Sequence, residues 1–484
     1  MEKINVLVIT SSLCFSTLFC TAQKNAVTDA LKNQAISDLQ MKYEDYRKTA
    51  LQIWHYAEVG YKEEKSTALL QKLLGDNGFA VQKGVAGMPT AFIATYGSGQ
   101  PMIAILAEFD ALPGLAQEAM PEKKIIPNQA AGHACGHHLF GTASVAAGIE
   151  IKNLMEQKKL KGTIRVYGCP AEEGGSGKVF MVRAGLFNDV DVAIHWHPGE
   201  ANRVTTKSAL ANKSAKFRFH GLSSHAAASP EKGRSALDGI EAMNDMVNMM
   251  REHIPQETRI HYVITNGGKA PNVIPDFAEV YYYVRHPKRE DVVQIFDRVV
   301  KAANGAALGT ETTMDYEIIG GTHDLLLNNT LAEAMQVNLE KVGGVNLTAE
   351  EIEFGKKLQK TFSFTPPSIA SAGIIKPLKS EETSGGGSTD VGDVSYAVPT
   401  VGMRAATWIP GTPAHSWQAV ACGGTEIGTK GLMVGAKTMA LTAIDLFTSP
   451  ALIEKAKQEF LDAKGNYQYK ALLGDIKPAL NYRD

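Results

Sequence analysis

The feature that most constrains the fold of this chain is an alternation of strand and helix patterns, with polar residues where the strands end. Apolar runs at 90–96 and 102–107 predict two strands, the second almost wholly apolar as in a buried central strand. A small-residue helix is predicted at 139–155, and strands at 163–169 and 190–194 enclose a further helix. Because ligands bind beyond the strand ends in such sheets, the pattern predicts an α/β domain with its site at that edge.

A different order of elements begins near residue 212. The pattern predicts strand, helix, two strands, helix and strand, which is the β-α-β-β-α-β order of a ferredoxin-like domain. The predicted elements are 215–220, 236–253, 259–265, 277–285, 289–306 and 313–319. Since possible metal ligands resume after this stretch, we predict that the ferredoxin-like domain is inserted into the first domain.

The length of the chain indicates how many domains it forms, and its net charge limits the classes of partner it can bind. A chain of 484 residues exceeds what one compact core usually holds, so two domains are expected. We predict a leader at 1–22, a main domain formed from 23–212 and 323–484, and an inserted dimerisation or lid domain at 213–322. The formal net charge of −2 argues against nucleic acid or an anionic membrane as the main partner.

The first residues have the pattern of an export signal. An apolar run from Ile4 to Phe19 is followed by Cys20-Thr21-Ala22, which predicts a signal peptide cleaved after Ala22 and a periplasmic or secreted protein. The run is short for a membrane span, so stable membrane insertion is not expected. Two alternatives stay open, namely lipid attachment at Cys20 and a leader that stays attached to a cytoplasmic protein.

The run Gly132-His133-Ala134-Cys135-Gly136-His137-His138 places a thiol and an imidazole two residues apart. Thiolate and neutral imidazole both bind zinc and its first-row neighbours, but two ligands do not complete a site. Further candidates follow strand ends and lie in loops. The predicted metal ligands are Cys135, His137, Glu173, His197 and His415. Five ligands from four places suit two divalent metal ions bridged by the thiolate, although on spacing alone His195 competes with His197 for one position.

Two adjacent carboxyl groups follow the strand predicted at 163–169. Neighbouring side chains point in different directions, so Glu172 and Glu173 cannot both bind metal with equal ease. We assign Glu173 to the metal and Glu172 to proton transfer, as the base that deprotonates the attacking water and returns the proton to the leaving amine. The alternative is a solvated acidic turn.

The inserted domain supplies three further candidates. His225 lies in the small-residue loop 221–227, where an imidazole can donate a hydrogen bond to an oxyanion. Asn272 and Arg285 could hold a substrate carboxylate, the arginine by a bidentate contact. For each of these residues, a surface position without a role is an equally open interpretation of the sequence.

With these residues assembled, the chain resembles the metal-dependent aminoacylase and carboxypeptidase family, in the branch that has His-Ala-Cys-Gly-His in place of an acidic bridging ligand. The resemblance runs from about Tyr43 to Leu446. The motifs that carry it are 108–112 (EFDAL), 135–137 (CGH), 167–178 (YGCPAEEGGSGK), 196–198 (WHP), 388–395 (STDVGDVS) and 411–417 (GTPAHSW). One departure is Glu108-Phe109-Asp110, where many relatives have His-x-Asp, so His137 has to substitute for that first histidine.

The resemblance implies the five ligands named above, with Glu172 as the base and manganese or zinc as the metal. Because Trp-His-Pro is the matching triplet, it favours His197 over His195. It also implies a homodimer, or a heterodimer with a related subunit, formed through the inserted domain so that His225 reaches the partner's active site. The implied fold class is α/β, a di-metal hydrolase domain carrying a ferredoxin-like insert.

The implied function is an amidohydrolase that cleaves N-acyl or N-aroyl amino acids, and p-aminobenzoyl-glutamate is the single substrate we favour. A dipeptidase or general aminoacylase with the same metal centre is the enzymatic alternative. A non-catalytic partner subunit is the alternative from another class, and it is disfavoured because all the groups that two-metal hydrolysis requires are present.

Overall fold

A computed structural model describes residues 26–378 and 386–483 of the chain. The predicted leader at 1–22, including Cys20, lies outside the described residues, as does most of the Gly/Ser-rich stretch 380–387.

The described strands and helices alternate as the sequence pattern predicts. The strands are β1 (Ala80–Lys83), β2 (Phe92–Ser98), β3 (Met102–Glu108), β4 (Leu112–Pro113), β5 (Ala131–Gly132), β6 (Gly162–Cys169), β7 (Val192–Gly199), β8 (Arg203–Val204), β9 (Ala211–His220), β10 (Arg259–Asn266), β11 (Phe277–His286), β12 (Thr313–Thr322) and β13 (Thr400–Ala406). The helices are α1 (26–41), α2 (Tyr43–Tyr56), α3 (Glu64–Asp76), α4 (His137–Glu156), α5 (Gly177–Arg183), α6 (Ala236–Met250), α7 (Arg289–Gly309), α8 (Asn329–Val342), α9 (Ala349–Gln359), α10 (Val391–Ala397), α11 (Trp417–Gly423), α12 (Glu426–Thr448) and α13 (Pro450–Lys464).

The main domain is built on a sheet in the order β1-β2-β6-β3-β7-β13-β8. Its centre is parallel, because β3 pairs in parallel with β6 and β7, and β7 with β13; the outer strands are antiparallel. Side chains of β3 alternate between two cores: Ile103 and Ile105 pack with α4 and α12, and Ala104 and Leu106 pack with α5. A sheet covered by helices on both faces explains why β3 is almost wholly apolar.

Helix α12 is long and apolar enough to cross a membrane by composition alone. However, 78% of its most apolar window is buried inside the fold, where it packs against α4, β7 and β13. A helix that is hydrophobic on all sides fits this central position, so its composition is explained by the core of the main domain.

The inserted domain contains a second sheet in the order β10-β11-β9-β12, with every neighbouring pair antiparallel. Helices α6 and α7 cover one face, and β11 alternates so that Val280, Tyr282 and Val284 contact them. The chain order β9-α6-β10-β11-α7-β12 confirms the predicted ferredoxin-like insert. The sheet spans 211–322, so β9 begins two residues before the predicted start of the domain.

The structure also contains elements that the sequence pattern does not predict. No element is predicted between 345 and 387, yet α9 forms there; few of its side chains are buried, and its start is fixed by a capping box of Thr348 and Glu351. Strand β7 continues to Gly199, beyond the predicted end at 194, because its later residues pair with β13, a strand also absent from the prediction. Long-range pairing of this kind overrides the local pattern.

Candidate metal centre

The predicted ligands lie at the carboxyl edge of the central sheet. Strands β3 and β6 end at Glu108 and Cys169, so the residues that follow them, and those that begin α4, meet at one edge. Helix α4 starts at His137, directly after Gly136, whose φ of +81° suits glycine. A Cβ at Gly136 would lie 2.6 Å from Pro198, so a larger residue could not stand beside Cys135.

Two groups of donor atoms share the thiol of Cys135. Cys135, His137 and His197 form one group, and Cys135, Glu173 and His415 form the other; within each group the ligand atoms lie within 4.8 Å of one another. Cys135 Sγ is 3.4 Å from His197 Nε2. The structure therefore brings all five predicted ligands together, with the sulfur in the position that a bridging ligand requires.

The two competing histidines of β7 have different surroundings. His197 Nδ1 donates to the carbonyl of Pro198 at 2.7 Å, which leaves Nε2 free to face Cys135. Burial holds the pKa of His197 well below its ordinary value, so its imidazole is neutral and able to bind metal. His195 belongs to neither donor group, and its ring lies against Gly402, where a Cβ would be 2.1 Å from Nε2.

Asp110 and Glu108 contact His137, although the sequence pattern assigns neither residue a role. Asp110 Oδ1 lies 2.8 Å from His137 Nδ1, while Oδ2 accepts from the Glu173 N–H at 2.9 Å. Glu108 Oε2 is 3.2 Å from His137 Nε2. Burial opposes protonation of His137, but the negative charges of Cys135, Asp110 and Glu108 outweigh it and raise its pKa. A carboxylate behind a histidine is the arrangement that orients metal-binding imidazoles.

The adjacent acids Glu172 and Glu173 differ in electrostatic environment. Burial raises the pKa of Glu172 well above its ordinary value, and the charges of Glu108 and Glu173 raise it further. Burial acts on Glu173 in the same direction, but His415, whose Nε2 is 3.2 Å from Glu173 Oε1, outweighs it and lowers the pKa of that carboxyl. A carboxylate and a carboxyl that can hold a proton thus stand side by side, as proton transfer beside a metal site requires.

His415 closes the second donor group from the solvent side. Its side chain is 52% exposed, and its backbone N–H donates to the carbonyl of Ala134, next to the shared thiol. Contact with Cys135, followed by contact with Glu173, raises the pKa of His415 to about 11. This position therefore favours a positive charge, which the protonated imidazole or a metal ion can supply.

A buried lysine links the pocket to α10. Lys178 Nζ lies 2.5 Å from Glu108 Oε1 and 2.6 Å from Asp390 Oδ1, and all three side chains are buried. The Lys178 N–H also donates to Asp390 Oδ2 at 2.8 Å. Lys178 and Asp390 each lie in a motif that the sequence shows. Because the two residues are far apart in the chain, the sequence does not predict their contact. The lysine places one positive charge between two buried carboxyl groups and so reduces the cost of burying their charge.

Arg404 adds a second positive charge beside the pocket. It is the parallel register partner of His197 on β13 and is half-buried. Neighbouring positions in register project to the same face of a sheet, so the arginine faces the side on which the metal ligands lie. Across residues 26–378 and 386–483, its guanidinium forms no hydrogen bond or ion pair with the protein. Sequence reasoning missed this residue because β13 was not predicted.

The candidates in the inserted domain are exposed or half-buried. His225 Nδ1 accepts hydrogen bonds from the N–H groups of Ala227 and Ala228, so the ring proton of the neutral imidazole sits on Nε2. Asn272 is exposed, and Arg285 lies over the ring of Tyr283 at 5.2 Å. In the described part of the chain, no hydrogen bond or ion pair joins these three candidates to the metal ligands.

The donor set fits divalent metal ions. His137 Nε2 and Glu173 Oε1 are buried, and each has a charged neighbour at 3.2 Å, Glu108 and His415 respectively, but among the described residues neither contact has hydrogen-bond geometry. A cation bound here would satisfy both atoms. Thiolate, imidazole and carboxylate are the donors that first-row divalent metals take. By contrast His133 and His138 are buried beside the backbone carbonyls of Ile53 and Gly423, at 3.1 and 3.0 Å, and belong to neither donor group.

The chain is similar to known hydrolases along most of its length. Residues 211–311 match the peptidase dimerisation domain of the M20 type. Over 440 residues the chain is 41% identical to the B-type subunit of p-aminobenzoyl-glutamate hydrolase from Escherichia coli, and the match covers 86% of this chain and 91% of that protein. It is 29% identical over 452 residues to Xaa-Arg dipeptidase of Mus musculus, with coverage of 90% and 93%.

A solved structure shares the fold. It is a dinuclear metal-binding peptidase of the M20 family from Bacillus subtilis, with a TM-score of 0.56 and 17% identity. The match covers 84% of this chain and 99% of that one. The arrangement of the main domain and the insert is thus one that is known from solved proteins.

Proposed function

The chain belongs to the M20 family of metal-dependent amidohydrolases and peptidases, the family that includes p-aminobenzoyl-glutamate hydrolase, and from this membership we propose that it cleaves N-acyl and N-aroyl amino acids, with p-aminobenzoyl-glutamate as its preferred substrate. It is a hydrolase that acts on amide bonds. The products from the preferred substrate are p-aminobenzoate and glutamate. The observation that carries the proposal is the pair of donor groups sharing Cys135 beside Glu172.

The proposed roles follow from the contacts of each residue. Divalent ions held by the five ligands would polarise the amide carbonyl and lower the pKa of water. Glu172 acts as the base in its ionised form: the carboxylate takes a proton from the attacking water and then delivers that proton to the nitrogen of the leaving amino acid as the carbon–nitrogen bond breaks. Its raised pKa favours the protonated form that exists between these two transfers. Asp110 holds His137 in orientation, and Glu173 stays ionised beside His415.

Four residues are proposed to contact the substrate. His225 presents an Nε2–H donor, which suits a developing oxyanion when a partner subunit brings it to the pocket. Arg285 remains a candidate for the substrate carboxylate together with Asn272. The unpaired guanidinium of Arg404 is a further candidate for a carboxylate, and glutamate as leaving group carries two.

Substitution of Glu172 tests the division of labour between the two acids. Glu172→Ala should abolish glutamate release from p-aminobenzoyl-glutamate while the bound metal, measured by mass spectrometry, stays at the wild-type content. Glu150→Gln serves as the matched control, since Glu150 is another buried acid with a raised pKa but lies on the far part of α4. Loss of metal in Glu172→Ala would show that Glu172 is a ligand and overturn the assignment.

A substrate panel tests the preference. We expect p-aminobenzoyl-glutamate to give the highest kcat/KM among aroyl amino acids, N-acetyl amino acids and dipeptides. The second candidate is a dipeptidase, favoured by the 29% identity to Xaa-Arg dipeptidase, and a higher kcat/KM on dipeptides would support it. Activity that persists in chelator, or that requires an added partner, would instead support the non-catalytic subunit.

We further propose manganese or zinc as the native metal, because a thiolate with imidazoles binds first-row metals in preference to magnesium or calcium. Reactivation of chelator-treated protein by each metal, with metal analysis of the protein as purified, tests this.

We also propose that two subunits pair through the inserted domain, either as a homodimer or with a related subunit. The mass of the assembly in solution measures this pairing.

Export is the remaining proposal, and it rests on the sequence of residues 1–22 alone. We expect mature protein to begin at Gln23 and to be found in the periplasmic or secreted fraction. An N-terminus at Met1 in a cytoplasmic fraction would overturn it.

A further inference from the structure

The segment 471–483 reaches the turn that carries the two acids. The hydroxyl of Tyr482 donates to the backbone carbonyl of Glu173 at 3.0 Å, and the guanidinium of Arg483 donates to the same oxygen. Two donors from adjacent residues thus converge on one carbonyl of a predicted metal ligand. No motif or periodicity in the sequence of this segment predicts a role for it.

The turn that receives these bonds needs external support. Ala171, Gly174 and Ser176 all have positive φ, at +55°, +101° and +58°. The left-handed conformation costs about 1 kcal/mol or more for each residue other than glycine. Bonds from outside compensate: Glu63 accepts from the Ala171 N–H at 2.8 Å, and Tyr61 donates to the Gly175 carbonyl at 2.7 Å.

Aromatic rings enclose the turn tightly. The ring of Tyr482 meets that of Tyr61 edge to face, with centroids 5.8 Å apart. A Cβ at Gly60 would lie 2.4 Å from the Tyr482 hydroxyl, and one at Gly174 would lie 2.7 Å from the hydroxyl of Tyr283 in the inserted domain. The close fit leaves the Glu173 carbonyl little room to move while Tyr482 is in place.

The segment is anchored before it reaches the turn. Arg183 at the end of α5 donates to the carbonyls of Gly474 and Ile476, each at 2.6 Å. Leu473 is buried in the core below α5, and its backbone lies against Gly321 of β12. The position of Tyr482 and Arg483 is therefore fixed by contacts with both the main domain and the end of the insert.

We propose that Tyr482 and Arg483 are positioning residues for hydrolysis, which hold the Glu173 carbonyl and thereby set the directions of the Glu172 and Glu173 side chains. The expected change in kcat rests on the proposed function, because it needs a substrate. The expected change in metal affinity does not depend on the substrate. Groups that orient metal ligands from behind typically contribute 10- to 100-fold in affinity or activity.

The test uses Tyr482→Phe, Arg483→Met and the double variant in the full chain. We expect the metal dissociation constant, measured by competition with a chelator, to rise about tenfold in each single variant, and kcat to fall by a similar factor with KM within twofold. Arg483→Lys retains one donor and should recover part of both losses. Asn481→Ala is the matched control, because Asn481 is in the same segment and exposed, and its side chain accepts a hydrogen bond from Lys62 rather than contacting the Glu173 carbonyl.

Two results would overturn the proposal. If the variants lower the melting temperature but leave metal affinity and kcat at the wild-type values, the segment is only an anchor for the fold. If Asn481→Ala lowers metal affinity as much as Arg483→Met does, the effect is not specific to the Glu173 carbonyl. Failure of the proposed function would be recognised separately, since the wild type would then cleave none of the N-acyl or N-aroyl amino acids of the panel, while the metal competition would still report on Tyr482 and Arg483.

Discussion

Single side chains of opposite charge are paired throughout the pocket, and the pairing decides what each can do. Cys135 and Glu173 supply negative charge for cations, while Lys178 neutralises Glu108 from behind. Burial, and then the like charges of Glu108 and Glu173, raise the pKa of Glu172, so that it holds its proton more tightly. The protonation state of each acid in such a pocket depends on whether a cationic side chain is paired with it. Substitution of a cationic partner should therefore change the free energy of unfolding far more here than at the surface.

Replacement of the buried lysine should destabilise the fold. Lys178→Met removes the positive charge that lies between the buried Glu108 and Asp390, and His137, which is 3.2 Å from Glu108, replaces only part of it. We expect a loss on the order of 3 to 5 kcal/mol in the free energy of unfolding. Lys72→Met is the matched control: Lys72 lies 2.5 Å from Asp76, as close as Lys178 is to Glu108, but both side chains are exposed. That variant should lose less than about 1 kcal/mol.

Urea unfolding monitored by fluorescence measures both variants. A double variant, Lys178→Met with Asp390→Asn, should lose less than the sum of the single substitutions, because it removes one unpaired charge. Equal losses for Lys178→Met and Lys72→Met would contradict the view that burial sets the value of this ion pair.

Arg404 gives a prediction about substrate recognition. Arg404→Met should lower kcat/KM for p-aminobenzoyl-glutamate by about 10- to 100-fold, the value of one or more charge-assisted hydrogen bonds. The loss should be much smaller for a substrate whose leaving amine carries no carboxylate. Steady-state kinetics on the two substrates measures the difference, and an equal loss on both would assign Arg404 to the metal pocket itself.

At the scale of elements, the sequence predicted what local periodicity encodes and missed what pairing across the chain decides. The apolar run of β3 and the six elements of the insert were visible because burial leaves a repeat in the sequence. Helix α9 has few buried side chains and so no repeat, although its capping box, Thr348 with Glu351, was a usable signal.

The residues of the candidate site also fall into those that local sequence motifs predict and those that only the fold brings into contact. The five candidate ligands could be selected from the sequence because metal donors cluster in short motifs at strand ends, and the structure brings them together. The contacts that orient them were not: Asp110 on His137, Asp390 on Lys178 and Tyr482 on Glu173 join residues that are distant in the chain. No local pattern records which distant polar group a buried donor will meet, so these partners needed the fold.

Helix α4 carries an acid in the core whose ionisation should make stability depend on pH. Glu150 is 3% exposed, and burial, followed by the charge of Asp38, raises its pKa from 4.5 to about 8. A carboxyl with a raised pKa in the folded state binds protons more tightly there than in the unfolded chain. Its contribution to stability is therefore complete below pH 4.5, falls progressively as the pH rises from 4.5 towards 8, and is lost above the folded-state pKa of about 8.

Glu150→Gln should remove this dependence. Between pH 5 and pH 8 we expect the wild type to lose on the order of 2 kcal/mol more than the variant. Thermal melting at the two pH values measures it, and Glu454→Gln, a substitution of an exposed acid on α13, is the control. A wild type and a Glu150→Gln variant with parallel pH profiles would show that water reaches Glu150 and stabilises its charge.

At the scale of the whole molecule, the insert presents two different surfaces. Towards the main domain, Tyr283 contacts the turn at Gly174. Along the edge strand β10, Tyr262, Val263 and Ile264 are 38%, 57% and 39% exposed. An edge strand with apolar side chains is a common site of pairing with another chain, in agreement with the match of residues 211–311 to a dimerisation domain.

A mixing experiment tests whether two subunits share one site. If His225 acts in the partner's pocket, Glu172→Ala and His225→Ala homodimers should both be inactive, whereas co-expressed chains should recover about a quarter of the wild-type activity, because half of the dimers are mixed and each has one intact site. No recovery in isolated mixed dimers would place His225 in the pocket of its own subunit, or remove it from the reaction.

The donor that the two groups share is the sulfur of Cys135, and sulfur, unlike a carboxylate oxygen, can be oxidised. Peroxide converts a thiolate to sulfenic acid, which a thiol reductant reverses, and then to sulfinic acid, which it does not. Because Cys135 belongs to both donor groups, a single oxidation at that atom would disable both cation sites together. Brief peroxide treatment of the metal-free protein should therefore abolish uptake of both ions in one step, and dithiothreitol should restore both only if it is added early.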